Sequence, residues 1–402
     1  MSTSLLYHTQ GIHDFEFESF DFAGGQTVAS IHRHADKFQC PCCNSSRVTP
    51  TFIQTRTIQS LPIGRHRFFV RVKMHRIRCS DCGAYLMEKL PFIPSEKARY
   101  TKVLARTVID LRPEMSISAI AKYFGLHWST VKEIEKKHLK KKYKNVPLSA
   151  VRVIGIDEIH VGKNRYLTVV RDLDSGAVLH IGEGKGADSL EEFAQRIKRS
   201  SCRIETVAVD LSAAYTSWIK NNLPEATIVY DHFHVIKLMN EKLNKIRQRT
   251  MSELEEEQKK GLKNKRFLLL KNVENLDTDE GSSLELLREN YQELGDASIL
   301  KESLRNIYSL VPDRYMARVA FQDWCKLAID TGIPEMKTMA NTITSHLDGI
   351  VAYWNEGITS AAMEGFNNKI RWLIRQAYGY HDQEYFKLKI FDLPKLRIVR
   401  QL

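Results

Sequence analysis

The sequence lacks the long apolar runs that membrane proteins need and the leader that secreted proteins carry. No stretch of about 18 apolar residues occurs, which argues against a membrane-spanning helix. The N-terminus, MSTSLLYHTQ, has no basic segment followed by an apolar one, so we expect no secretion signal. These absences predict a cytoplasmic protein with no membrane partner.

Acidic residues are too few to balance the basic ones. The 402 residues include 60 Lys and Arg but 48 Asp and Glu, which gives a net charge of +12. Such an excess favours a polyanionic partner, most simply nucleic acid, although a merely basic protein is the alternative. The length predicts two to four domains.

Cysteine is scarce, and four of the seven cysteines form two C-x-x-C pairs, which in an intracellular protein indicate metal rather than disulfides. The pairs are Cys40 with Cys43 and Cys79 with Cys82. Four thiolates would fill a tetrahedral structural zinc site. Cys42 is left over and could replace a neighbour, and buried or redox cysteines are the alternative. We predict a zinc ribbon over residues 37–94, after a loosely structured arm at residues 1–36.

Residues 95–146 have the pattern of a helix-turn-helix. Lys97 to Leu111 is predicted as a first helix, and Ile117, Ile120 and Phe124 recur at helical spacing in the next. A last helix would present its exposed face to base edges and phosphates. Its candidate DNA-binding residues are Trp128, Ser129, Lys132, Lys136 and Lys140. The alternative is a helical hairpin with a solvated, charged face.

Residues 147–250 alternate between short apolar strands and helices, which predicts a mixed sheet covered by helices. Three of the strands end in acids: VIGIDEIHVG at Asp157, VAVDLS at Asp210 and ATIVYDHFH at Asp231. Asp157 and Asp210 are predicted to end neighbouring strands, and strands about 5 Å apart can bring two such carboxylates to one cation. Oxygen ligands of this kind favour Mg²⁺ or Mn²⁺. The alternative is a set of solvated strand-end turns.

The last part of the chain supplies a third candidate carboxylate. Residues 251–355 are predicted as an all-helical insertion, and residues 356–402 as a final helix and a basic tail. Two catalytic cations need a further ligand, and Glu364 is the best candidate because it stands alone among bases. An intrahelical ion pair is the alternative for Glu364. Three basic residues of this helix are candidates for phosphate contacts: Lys369, Arg371 and Arg375.

In these motifs the chain resembles the DDE transposases of bacterial insertion sequences, in the ISL-three family. The matching pieces are C-P-x-C with C-x-x-C, the helix-turn-helix, IGIDE, VAVDLS with Tyr215, YDHFHVIK, AAMEGFNNKIR and AYGY. The resemblance implies a multidomain α/β protein with a ribonuclease H-like core, which the helical insertion interrupts. It assigns the catalytic triad to Asp157, Asp210 and Glu364. Asp231 and His234 match a D-x-x-H element that related families place near the site, so both are accessory candidates.

We therefore predict a transposase that binds the inverted-repeat ends of its own element. It would cleave these ends with two Mg²⁺ or Mn²⁺ ions and join them to target DNA. Its partners would be double-stranded DNA and further copies of itself, as a homodimer or larger oligomer, in the bacterial nucleoid. The alternatives are a DNA-binding regulator derived from a transposase without cleavage activity, and a metal-dependent nuclease.

Overall fold

The computed structural model describes residues 3–255, 259, 262–263, 265–356 and 361–395. The chain divides into two compact units, Met1–Lys144 and Asn145–Leu402. Arg397 and Arg400 of the predicted basic tail lie outside the described residues. No helix in the described segments combines the length and the apolar character that crossing a bilayer requires.

The first unit is built on a five-stranded sheet, which three helices follow along the chain. Its elements are α1 (Thr3–Gln10), β1 (Phe15–Ala23), β2 (Gln26–Arg33), β3 (Val48–Ile63), β4 (His66–Cys79), β5 (Tyr85–Met87), α2 (Lys102–Leu111), α3 (Ile117–Phe124) and α4 (Trp128–Lys142). The strand order is β1-β2-β4-β3, with β5 paired to β4. Strands β2 and β4 are parallel, and the other pairs are antiparallel.

The first 36 residues contribute α1, β1 and β2, where the sequence predicted a loosely structured arm. Phe15 and Ile31 are buried in the core of the unit together with Phe68 of β4. The hairpin of β1 and β2 has a register shift between Phe17 and Ser19. This bulge interrupts the alternation of apolar and polar residues, and therefore hides the strand from a search for strict periodicity.

Helices α2, α3 and α4 form the predicted helix-turn-helix. Helix α2 begins at Lys102, later than the predicted Lys97, because the Thr101 side chain caps it by accepting a hydrogen bond from the Leu104 N–H. Gly125 ends α3 in the left-handed conformation, with φ of 65°. The side chain of Gln59 on β3 donates to the Phe124 carbonyl at 2.6 Å. The sheet therefore supports the turn directly.

The second unit contains a five-stranded mixed sheet, which confirms the predicted mixed α/β architecture. Its elements up to the end of the sheet region are β6 (Val153–Gly162), β7 (Arg165–Asp172), β8 (Val178–Glu183), α5 (Glu191–Lys198), β9 (Thr206–Val209), α6 (Ala213–Asn222), β10 (Thr227–Tyr230) and α7 (His232–Glu253). The strand order is β10-β9-β6-β7-β8. Strands β6, β9 and β10 are parallel, whereas β7 and β8 are antiparallel to their neighbours.

Six helices follow α7 within the described part of residues 265–356. They are α8 (Arg266–Leu270), α9 (Thr278–Asn290), α10 (Gln292–Leu310), α11 (Arg314–Asp330), α12 (Pro334–Val351) and α13 (Tyr353–Glu356). Helix α10 packs on α7, and α12 packs on both α7 and β10. Their buried side chains belong to the same continuous core as Ile154 and Val207 of the sheet.

The last two helices, α14 (Ala361–Gln376) and α15 (Gln383–Asp392), pack into a separate apolar cluster with the sheet. In this cluster Phe366 and Ile370 of α14 contact the side of the sheet that carries Ile159 and Val169. Because side chains alternate along a strand, this is the face opposite to the one formed by Ile154. Helices therefore cover both faces of the sheet.

Candidate active site and nucleic-acid interface

Three aspartates lie side by side where the parallel pairing of β6, β9 and β10 ends, and Asp157 lies inside β6 and not at the end of the strand that the sequence predicted. The parallel register pairs Ile156 of β6 with Val209 of β9, and Val209 with Tyr230 of β10. The next residue in each chain segment is an aspartate, namely Asp157, Asp210 and Asp231. Parallel strands in register carry equivalent positions to the same level, so these three backbone positions are neighbours.

Asp157 and Asp210 are partly buried and repel each other. Burial is the largest influence on both carboxyl groups and raises the pKa of each, and the charge of Asp210 raises the pKa of Asp157 further. His234 acts in the opposite direction on both aspartates. Two neighbouring carboxylates that burial disfavours in their charged form are the arrangement that a bound cation relieves.

Unsatisfied oxygen atoms show that this donor set fits a divalent cation. Oδ1 of Asp210 is buried and has no hydrogen-bond partner among the described residues. Buried polar atoms are nearly always paired, and an unpaired one indicates strain or a position for a bound water or ion. Carboxylate oxygens are the ligands that Mg²⁺ and Mn²⁺ prefer.

Glu158 is a third acid near the pair, on the opposite face of β6 from Asp157. Burial and then the charge of Asp210 raise the pKa of Glu158, whereas Lys185 and Lys237 lower it. Both lysines are exposed. The site therefore places two cationic side chains near its acids, as the binding of a phosphate backbone requires.

Glu364 lies at the start of α14, and its side chain is exposed. Among the described residues, Asp157, Asp210 and Glu364 do not form a group whose ligand atoms all lie within 4.8 Å of one another. One helical turn further along, Asn367 donates a hydrogen bond from Nδ2 to Oδ2 of Asp157 at 2.6 Å. The helix that carries Glu364 thus touches the site through a residue that the sequence did not single out.

Helix α14 packs on β6 at a glycine. A Cβ atom built on Gly155 would lie 2.8 Å from Sδ of Met363, which is shorter than real contacts. Arg171 on β7 fixes the helix further, because its Nη1 donates to the Ala362 carbonyl at 2.7 Å and its guanidinium lies 4.1 Å from the centre of the Phe366 ring. The start of α14 is therefore held against the sheet by contacts outside the acidic groups.

Asp231 and His234 lie together beside the two aspartates. Asp231 is 2% exposed, and its carboxylate oxygens lie 3.3 Å from Nδ1 of His232 and 3.9 Å from Nε2 of His234. His234 also acts electrostatically on Asp157 and Asp210, as described above. The structure therefore brings both accessory candidates to the same end of the parallel strands as Asp157 and Asp210.

The two C-x-x-C pairs of the first unit meet in one cluster. Its members are Cys40, Cys43, Cys79 and Cys82, whose sulfur atoms all lie within 4.8 Å of one another. The backbone N–H groups of Cys43 and Cys42 lower the pKa of the Cys40 thiol to about 6, the Cys43 group more strongly. Thiolates in this arrangement suit zinc. Cys42 is exposed and stands outside the cluster, so the geometry favours the other four cysteines as the ligand set.

Helix α4 presents the predicted DNA-binding residues on its surface. Trp128, Ser129 and Lys140 are exposed, while Lys132 and Lys136 are partly exposed. The ammonium group of Lys132 lies 6.0 Å from the centre of a Trp128 ring. The side chains of α14 that are predicted to contact phosphates are also exposed, namely Lys369, Arg371 and Arg375.

Comparison with known proteins places these features in one family. The model of the DDE transposases of the ISL3 group, described as a transposase, matches residues 154–390, and the helix-turn-helix domain of transposase family ISL3 matches residues 88–139. The transposase for insertion sequence element IS1001 of Bordetella parapertussis is 32% identical over 340 residues, which cover 83% of each chain. The transposase for insertion sequence element IS1557 of Mycobacterium tuberculosis is 26% identical over 402 residues, covering 93% of this chain and 90% of the relative.

Among solved structures, the Drosophila P element transposase strand transfer complex aligns with a TM-score of 0.40 and 11% identity. The alignment covers 74% of this chain and 92% of that one.

Proposed function

The chain belongs to the ISL-three family of DDE transposases, and from this membership we propose that it cuts the ends of its own insertion sequence and joins them to target DNA. The resemblance drawn from its motifs is thereby confirmed, as is its helix-turn-helix DNA-binding domain. The specific DNA ends, the catalytic residues and the ribonuclease H-like character of the mixed sheet belong to the proposal.

The observation that carries the proposal is the pair of aspartates on adjacent parallel strands. Asp157 and Asp210 stand in register, and Oδ1 of Asp210 is buried without a hydrogen-bond partner among the described residues. These two residues would hold the divalent cations, and Glu364 of α14 would be the third carboxylate of the site. When bound, two such cations activate the attacking oxygen and stabilise the leaving oxygen of an in-line phosphoryl displacement.

The remaining residues of the site would position the DNA. Lys185 and Lys237 would neutralise phosphates beside the acids, and His234 would orient the carboxylates and a water molecule by hydrogen bonding. In the first step, a water oxygen forms a bond to phosphorus, and the bond to the 3′ oxygen breaks and leaves a 3′-OH. In the second, this hydroxyl attacks a phosphodiester of the target, whose own 3′ oxygen leaves.

The first unit would recognise the DNA ends. We propose that the four cysteines bind one structural zinc ion and that α4 enters the major groove with Trp128 and Ser129 near its N-terminal end. The net charge of +12 is consistent with such a partner. Two ends must be paired for joining, so we propose a homodimer or larger oligomer.

The test uses the DNA that flanks the coding sequence. Linear duplexes carrying either flank are incubated with the protein, Mg²⁺ and a supercoiled plasmid, and nicked ends and joined products are separated on gels. We expect nicks at the inverted repeat and transfer of a label on the duplexes to the plasmid. Both products should depend on Mg²⁺. Nicking without joined product would favour the nuclease, and binding without nicking would favour the regulator.

The lysine stripe of α4 should control the salt dependence of DNA binding. Replacing Lys132, Lys136 and Lys140 together with Ala should reduce the slope of log affinity against log salt by up to about 3, since each phosphate contact contributes about 0.9. The measurement is fluorescence anisotropy on end duplexes over a range of salt concentrations. Successive residues of a helix are 100° apart, so Lys137 and Lys141 lie away from the stripe and provide the matched control. An equal loss in that control would contradict the assignment.

A further inference from the structure

Asn367 is a buried polar residue that the triad does not include. It lies on α14, is 4% exposed, and donates from Nδ2 to Oδ2 of Asp157 at 2.6 Å. The other oxygen of the same carboxylate, Oδ1, accepts the backbone N–H of Glu158 at 2.8 Å. Each oxygen of Asp157 thus has one donor, and two donors from different elements fix the orientation of the carboxylate.

The carbonyl oxygen of Asn367 has no such partner. Oδ1 of Asn367 is buried and unpaired among the described residues, as is Oδ1 of Asp210. A buried amide oxygen without a donor disfavours the folded state. Two unpaired buried oxygens therefore occur on residues next to Asp157, one on the side chain that bonds it and one on the neighbouring strand.

We propose that Asn367 is a positioning residue for the cation site: its amide N–H holds the Asp157 carboxylate, and its carbonyl oxygen faces the cation that Asp157 and Asp210 bind. This inference rests on the proposed function, because it concerns the same cations. It assigns to α14 a role in cation binding that does not depend on Glu364.

The contacts around Asn367 make the proposal separable from a packing role. Met363 against Gly155, and Arg171 against Ala362 and Phe366, hold the start of α14 without Asn367. A leucine at position 367 has the branching and the number of side-chain heavy atoms of asparagine, without its polar atoms. The helix should therefore stay docked when the polar group is removed.

The experiment measures Mn²⁺ affinity by calorimetry, together with the unfolding temperature in the absence and presence of Mn²⁺. In Asn367→Leu we expect Mn²⁺ to bind about tenfold or more weakly, because the variant lacks both the N–H that orients Asp157 and the carbonyl oxygen. In Asn367→Asp we expect Mn²⁺ to bind more tightly than in the wild type. The added charge beside Asp157 lowers the metal-free unfolding temperature, and Mn²⁺ raises it by more than in the wild type.

The matched control is Asn368→Leu. Asn368 is exposed on the same helix, and its Oδ1 accepts a hydrogen bond from Nη1 of Arg371. This variant should leave Mn²⁺ affinity unchanged. Wild-type Mn²⁺ affinity in Asn367→Leu, or Mn²⁺ binding to Asn367→Asp that is no tighter than to the wild type, would overturn the inference and leave the proposed function standing. A wild-type protein that binds no Mn²⁺ would overturn the cation site and this inference with it.

Discussion

Asp210→Asn is expected to reduce Mg²⁺-dependent cleavage of end DNA by about a thousandfold or more, because each factor of ten corresponds to about 1.4 kcal/mol and a catalytic cation contributes several. DNA binding should be unchanged, since the helix-turn-helix belongs to the other compact unit. The measurement is single-turnover nicking of end duplexes, with anisotropy on the same duplexes for binding.

The same substitution should stabilise the metal-free protein. Burial raises the pKa of Asp210 above its usual range, so ionisation of this group disfavours the folded state. The stability that the protonated carboxyl contributes is fully present below the unfolded pKa of about 3.9 and is lost as pH rises through the elevated folded pKa. The variant should therefore exceed the wild type in unfolding temperature at neutral pH, and the difference should vanish near pH 4.

The control for both effects is Asp323→Asn, an exposed acid of α11 that pairs with Lys326. It should change neither cleavage nor the pH dependence of stability. Normal cleavage by Asp210→Asn would remove Asp210 from the catalytic assignment. A variant that neither cuts nor binds DNA would instead indicate misfolding, which circular dichroism and the unfolding temperature would reveal.

Cys79→Ser is expected to release zinc, to lower the unfolding temperature by about 10 °C or more, and to weaken binding to end DNA at least tenfold. Cys79 ends β4, and its sulfur lies 3.6 Å from that of Cys43. Losing one of four ligands weakens a structural zinc site, and the binding energy of such a site contributes directly to folding. The measurements are metal content by mass spectrometry, thermal unfolding and anisotropy.

Cys42→Ser provides the control, because Cys42 lies in the loop that carries Cys40 and Cys43 but stands outside the cluster. This variant should retain one zinc per chain and wild-type DNA binding. Zinc loss in Cys42→Ser with retention in Cys79→Ser would reverse the ligand assignment.

The parts of the fold that follow regular periodicity could be predicted from the sequence. Short apolar runs that lead into Asp157 and Asp210 predict neighbouring acids, since parallel pairing fixes the level of each residue, although β6 continues beyond Asp157 to Gly162. The register shift between Phe17 and Ser19 concealed β1, because one extra residue exchanges the two faces of a strand.

The role of Asn367 could not be predicted in this way. The apolar residues Phe366 and Ile370 indicate which side of α14 is buried, but they do not fix its rotation against the sheet to within one side chain. That rotation is set by side-chain contacts between α14 and the sheet, such as Met363 with Gly155 and Phe366 with Arg171. The two residues of each contact are distant in sequence. A single sequence contains no local signal for such a contact.

The hydrogen bond from Gln59 to the Phe124 carbonyl has a consequence for the exchange of DNA specificity between relatives. Leu61 of β3 also packs against the apolar cluster of α2, α3 and α4. A fragment limited to residues 88–139 would leave both partners behind, expose apolar surface and deprive the Phe124 carbonyl of its donor. A chimera that exchanges the DNA-binding domain between relatives should therefore fold when the β3–β4 hairpin is transferred together with the helices. Residues 1–144 are the segment to exchange.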